Sequence, residues 1–212
     1  MDRRVLGQSG LLVSRLCFGA LTIGPLQAGL SVSKGAGIIR LAMERGINFI
    51  DTAESYGTYP YIREALKGID KEIIIASKSY AYTREGMQRS VEKCLRELGR
   101  EVIDIFLLHE QESASTIKGH WPALEYLVAA REKGLVRAVG ISTHCVAGVK
   151  AALAVPEIDV VHPIINKEGI GIKDGTREDM LAAVKAARDQ GKGIYAMKPL
   201  GGGHLIPKAE QA

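Results

Sequence analysis

Four side chains of different chemistry stand where short apolar runs end. Asp51 closes INFID, Tyr56 follows in ESYG, Lys78 closes IIIASK and His109 closes IDIFLLH. A phenol has an ordinary pKa of about 10 and releases its proton reluctantly near neutrality. A neighbouring ammonium favours the phenolate and lowers that value by roughly 1 to 3. Lys78 is the natural ammonium, and Asp51 can hold it through a charge-assisted hydrogen bond that keeps it charged. His109 can bond the oxygen being protonated, orient it, or relay a proton. The set makes a general acid aimed at a polarised oxygen, the equipment for reducing a carbonyl if a hydride arrives from elsewhere. None of the four supplies a hydride, so this chemistry requires a cofactor.

Such a constellation needs elements that bring distant residues to one place, and one pattern recurs along the chain. An amphipathic segment ends in a glycine, and a short β-rich apolar run follows. The run after Gly46 is INFID, after Gly99 REVIDIFLLH, after Gly134 LVRAVGIS and after Gly191 KGIYAMK. Glycine just past a helix supplies the left-handed conformation that other residues resist, so each reads as a helix end feeding a strand. In TREGMQRSVEKCLRELG, Thr83 can cap the start, and Met87, Val91, Leu95 and Leu98 recur on one face. In TREDMLAAVKAARDQG, Thr176 and Asp179 resemble a capping box, and Leu181, Val184 and Ala187 are expected on the buried face.

The strand candidates RLCFG, INFI, EIIIAS, VIDIFLL, VRAVGI, IDVVHPII and GIYAM make seven β/α units. Their apolar runs are continuous more than alternating, as in parallel strands covered by helices. An open dinucleotide-binding sheet would place G-x-G-x-x-G after its first strand, and residues 19 to 37 have no such spacing. A closed barrel instead gathers polar residues at strand C-termini, where Asp51, Lys78, His109, Ser142 and Lys198 stand. The fold class is therefore α/β, a (β/α)8 barrel with about seven strands visible. VLGQSGLLVSRL, around Gln8, Ser9 and Gly10, reads as a hairpin that plugs its floor.

The chain has 212 residues, 46% of them hydrophobic, enough for one domain over residues 1–212 with a sizeable core. The start MDRRVLGQSG lacks a signal-peptide core, and no apolar run approaches the roughly 20 residues that span a bilayer. A soluble, cytoplasmic protein is expected, with no membrane partner. Cys17, Cys94 and Cys145 form no CxxC and read as structural thiols, so no metal site is assigned to them. A net charge of +4, dispersed, with 5% aromatic residues, argues against a nucleic-acid partner.

LGQSGLLVSRLCFG, GINFIDTAESYG, IIIASK, IDIFLLH, VRAVGIS and YAMKPLGGG together resemble, in order, the signature segments of the aldo-keto reductases. The resemblance covers almost the whole chain. It implies a (β/α)8 barrel that holds NADPH, or NADH, at its mouth and reduces a small aldehyde or ketone. It carries the family's catalytic Asp, Tyr, Lys and His onto Asp51, Tyr56, Lys78 and His109, with tyrosine as the acid. Ser142 resembles the family serine that contacts the nicotinamide carboxamide, with Thr143 where asparagine is usual. His162 stands where glutamine is often found, with Asn166 nearby. Pro199, Leu200, Gly201 and Gly203 resemble the loop whose backbone approaches the pyrophosphate. HEQES and TREG resemble most closely a bacterial branch whose members often carry a C-terminal iron-sulfur domain. Against that pattern the chain is expected to lack the last β/α unit. A homo-oligomer or partner is then expected to cover the open barrel edge.

Taken singly, each of the four has a plainer role as a turn acid, surface aromatic, solvated charge or satisfied histidine. Jointly, at successive strand ends, they point to a site. Lys198 reads equally as a cofactor-phosphate contact or an exposed charge. Two other readings stand beside the reductase. One is a barrel fragment or interaction module without catalysis. The other is a metal-dependent hydrolase using His109, His144 and His162.

Overall fold

A computed structural model describes residues 1–211. The chain opens on an antiparallel hairpin, β1 (Arg3–Val5) and β2 (Leu12–Ser14). Seven parallel strands follow, each paired with the next in chain order. They are β3 (Phe18–Gly19), β4 (Phe49–Asp51), β5 (Ile74–Ser79), β6 (Ile103–Leu108), β7 (Val136–Thr143), β8 (Val160–Pro163) and β9 (Gly193–Ile194). The connecting helices are α1 (Val32–Glu44), α2 (Tyr59–Leu66), α3 (Arg84–Leu98), α4 (Ala114–Gly119), α5 (Trp121–Glu132), α6 (Val146–Leu153) and α7 (Arg177–Asp189). Parallel pairing demands such crossovers, because a tight turn can join only antiparallel strands.

Sequence punctuation sets the helix limits. Thr83 Oγ1 accepts from the Gly86 amide at 3.0 Å to start α3, and Gly99 ends it at φ 67°. Thr176 and Asp179 bond reciprocally at the start of α7. The buried face of α7, however, is Met180, Ala183 and Ala187, with Val184 half-buried and Leu181 45% exposed. The expected Leu181 face is therefore one position out of phase. Small alanines let the helix approach the sheet closely, and the leucine is left outward.

The period of two along each strand divides the core into two layers. Ile50, Ile75, Phe106, Val139 and Val161 face outward and pack with Ile39, Ile62, Val91, Leu124, Val149 and Met180 from the helices. Phe49, Ile74, Ala76, Ile105, Leu107, Ala138, Val160 and Tyr195 face the inside of the curled sheet. Burial on both faces explains the continuous apolar runs. Each fully buried Ile, Leu or Val contributes roughly 1.5 to 3 kcal/mol.

The hairpin closes the floor of this curl. Leu6, Leu11 and Val13 join the inner layer, and the Gln8 amide donates to Gly191 O at 2.9 Å. Asn48, just before β4, clamps β2: its Oδ1 accepts from the Ser14 amide at 2.6 Å and its Nδ2 donates to Leu12 O at 2.9 Å. Gly7 lies so close to β9 that a Cβ there would stand 2.3 Å from the Gly193 nitrogen. Among the described residues β3 and β9 each pair on one side only. No helix among them is long and apolar enough to cross a membrane.

Candidate active site

The inward phase that builds the inner core also aims the site. Two residues beyond inward Phe49 comes Asp51, beyond Ala76 comes Lys78, beyond Leu107 comes His109, and beyond Val160 comes His162. Ser142 follows four residues beyond inward Ala138 and is the register partner of His162 on the next strand. Side chains of β4 to β8 thus converge on one mouth, and Tyr56 reaches it from the short 3-10 turn Glu54–Tyr56 after β4.

Lys78, only 1% exposed, spends all three ammonium protons inside this mouth. It donates to Asp51 Oδ1 at 2.7 Å, to Asp51 Oδ2 at 2.8 Å and to Thr52 O at 2.8 Å. Asp51 Oδ2 also accepts from the Tyr195 hydroxyl at 3.0 Å. Burial alone would raise the Asp51 pKa, but Lys78, His162 and these hydrogen bonds hold it below the usual carboxylate value.

Tyr56 lies half-buried beside this pair, with Lys78 Nζ 5.1 Å from its ring centre. Its hydroxyl has no hydrogen-bond partner among the described residues. Burial first, then the negative charges of Asp51 and Glu110, push the phenol well above its ordinary value. The tuning therefore runs opposite to the sequence expectation. Lys78 has no proton left for Tyr56, and Asp51 offsets part of its charge.

His109 meets Tyr56 edge-on, ring centres 5.8 Å apart, and is covered by Tyr80, stacked at 4.1 Å. Burial, then Lys78, pulls its pKa down to about 3, so the imidazole is neutral across the physiological range. Its buried Nδ1 has no partner among the described residues.

His162 is also neutral, pulled down to about 4 mainly by burial. Its Nδ1 faces Tyr195 O at 2.7 Å, and a carbonyl only accepts, so Nδ1 carries the proton and Nε2 is left as an acceptor. Ser142 Oγ accepts from the Glu110 amide at 2.9 Å, which leaves its own O–H proton uncommitted. One donor and one acceptor therefore stand opposite each other on neighbouring strands.

The sequence model of the Aldo/keto reductase family matches residues 15–212. The chain belongs to the aldo/keto reductase family. It is 27% identical to L-galactose dehydrogenase of Arabidopsis thaliana, over 97% of this chain and 67% of that protein. It is 30% identical to probable aldo-keto reductase 1 of Glycine max, over 93% of this chain and 59% of that one. The chain thus spans about two thirds or less of the length of these curated relatives. The crystal structure of a putative aldo-keto reductase from Pseudomonas aeruginosa superimposes with a TM-score of 0.80 at 28% identity, covering 95% of this chain and 79% of that one. A Bombyx mori aldo-keto reductase solved in complex with NADP shares the fold, at TM-score 0.71 and 17% identity, over 93% and 66% of the two chains.

Other expected site residues sit further from the mouth chemistry. Thr143 bonds within the turn that leads into α6, its Oγ1 accepting from the Cys145 amide at 2.9 Å. Asn166 closes its own loop through both amide atoms, to Ile170 O at 2.8 Å and from Ile170 N at 2.9 Å. Pro199, Leu200, Gly201 and Gly203 form the turn after β9, where Gly201 is buried and the neighbouring Gly202 faces open space. Lys198 is neither free nor fully exposed: its Nζ lies 2.7 Å from His144 Nε2. No group of three or more His, Cys, Asp or Glu side chains converges on a common ion position among the described residues.

The mouth also contains residues that sequence reasoning passed over. Tyr195 and Tyr80 touch Asp51 and His109 directly, yet neither closes a long apolar run. The available signal was phase: Tyr195 follows Gly193 by two, so it shares the inward parity of the other site residues.

Proposed function

We propose that the chain carries a site for NAD(P)H-dependent reduction of a small aldehyde or ketone, with Tyr56 as the proton donor. The observation that carries this reading is the meeting of a protonated phenol and a neutral imidazole above the buried Lys78–Asp51 pair. The uncommitted Ser142 proton and the His162 Nε2 acceptor match the two halves of a primary carboxamide, so the donor set fits a nicotinamide. Ser142 and His162 would hold that ring, and backbone of Pro199, Leu200, Gly201 and Gly203 would lie against its phosphates, with Thr143 and Asn166 shaping the loops around it. When bound, the nicotinamide supplies the hydride for the carbonyl carbon.

The remaining work belongs to the chain. A neutral His109 donates a hydrogen bond to the carbonyl oxygen and orients it, but holds too little charge to act as the acid. Tyr56 gives its proton to that oxygen. A phenol held above its ordinary pKa is fully protonated at neutral pH, and a nascent alkoxide is more basic than a phenolate, so the transfer remains favourable. Lys78 stabilises the phenolate left behind, and solvent at the mouth restores the proton.

The reading is tested by fluorescence titration with NADPH, followed by nicotinamide oxidation in the presence of a panel of aldehydes and ketones. Saturable binding with carbonyl-dependent oxidation is expected; no binding would leave a non-catalytic barrel module as the better account. We further propose that self-association covers the free edges of β3 and β9. A well-folded monomer by light scattering at high concentration would refute that.

A further inference from the structure

Tyr195 is buried across the mouth from Tyr56 and belongs to no part of the chemistry described so far. Its hydroxyl donates to Asp51 Oδ2 at 3.0 Å, across 144 residues of sequence. Its ring is wedged between Phe49, with centres 4.9 Å apart, and His162, stacked at 3.9 Å with only 16° between planes. The Tyr195 carbonyl in turn fixes His162 through Nδ1 at 2.7 Å. Three rings and two hydrogen bonds thus form one rigid unit, and the buried Tyr195 hydroxyl in it is aimed at Asp51.

The two oxygens of Asp51 are treated unequally. Among the described residues Oδ1 accepts only from Lys78, whereas Oδ2 accepts from Lys78 and Tyr195 and lies 3.7 Å from His162 Nε2. That imidazole nitrogen carries no proton in the neutral ring and gives Oδ2 no hydrogen bond. The Tyr195 hydroxyl is therefore the second donor that draws carboxylate charge away from Lys78. We propose that Tyr195 is a positioning residue: by sharing Asp51 it keeps the Lys78 ammonium from being fully cancelled, and so sets the positive field that Tyr56 feels. The proposal rests on the carbonyl-reduction reading for its consequence in turnover, but not for the coupling itself.

The test is Tyr195→Phe, which keeps the wedge and removes only the donor. Carbonyl reduction should fall about 10-fold in kcat, the factor implied by losing one hydrogen bond to a charged group. NADPH affinity should stay within about twofold, since Tyr195→Phe keeps both the ring stacked on His162 and the backbone carbonyl that fixes His162 Nδ1. A second readout needs no turnover. The groups facing His162 Nε2 are Asp51, Lys78 and, further off, His144. With Asp51 less shared, the His162 pKa should rise by about 1, measured by NMR and assigned by loss of its resonance in His162→Asn.

Unchanged kcat with an unmoved His162 would overturn the proposal. A fall in kcat matched by an equal loss of NADPH affinity, with His162 unmoved, would also overturn it in favour of a purely structural role. If the unmodified protein reduces no carbonyl yet His162 shifts in Tyr195→Phe, the coupling stands and the reductase reading fails.

Discussion

Replacing Lys78 by methionine isolates the buried ion pair on which the site is built. The substitution keeps the length and apolar stem but removes the charge that faces both oxygens of Asp51 and Thr52 O. Asp51 is then a carboxylate only 8% exposed, with the Tyr195 hydroxyl as its remaining donor. Breaking one partner of a buried pair typically costs about 3 to 5 kcal/mol. The cost should depend on pH, and its sign follows from Asp51. In the unmodified protein Asp51 is depressed, so its contribution is present above its unfolded pKa and lost as pH falls through the folded value. In Lys78→Met burial acts unopposed and raises Asp51, so stability is lost as pH rises from the unfolded pKa through the folded one. The difference between the two proteins should therefore shrink on acidification from about pH 7 to about pH 4. Lys78 also depresses His109, and releasing that effect works in the same direction. Urea unfolding followed by circular dichroism at several pH values measures it. Asp51→Asn in the Lys78→Met background should recover about half of the loss or more at pH 7. A single-variant cost below about 1 kcal/mol, or one independent of pH, would refute the argued burial and pairing.

Acid should destabilise the unmodified protein through His109 and His162, held near 3 and 4 against an ordinary 6.5. Above 6.5 neither contributes; as pH falls below it the unfolded chain binds protons that the folded chain refuses, costing on the order of 3 kcal/mol per ring by about pH 4. Reductive kcat should accordingly show no inflection near 6.5 in a pH profile. Gly140→Ala would place a Cβ 1.9 Å from Val160 O, so β7 and β8 cannot keep their register, and soluble expression with a cooperative thermal transition should be lost. Ser142→Ala removes the free donor opposite His162 and should weaken NADPH binding about 10-fold by fluorescence titration.

Much of this was legible because strands repeat every two residues and barrels collect chemistry at one end. Asp51, Lys78, His109, Ser142 and His162 all fall in the inward phase of runs visible in the sequence. What was not legible depends on counting protons in space. Lys78 was expected to lower Tyr56, but its three donors are consumed by Asp51 and Thr52, and burial with nearby negative charge raises the phenol instead. Tyr195 joins Asp51 only after the sheet curls. Thr143 and Asn166 illustrate local competition, since short polar side chains bond first to their own turns. Leu181 shows how easily a helix face is misread by one position when alanines make the contact.

The central claim is that Tyr56 delivers the proton, and single-turnover reduction by Tyr56→Phe tests it most directly. With NADPH and an aldehyde that the unmodified protein reduces, the variant should bind NADPH equally well. Its rate of nicotinamide oxidation should be slower by roughly 10² to 10⁴. An unchanged rate would contradict the assignment and move the acid to another group at the mouth.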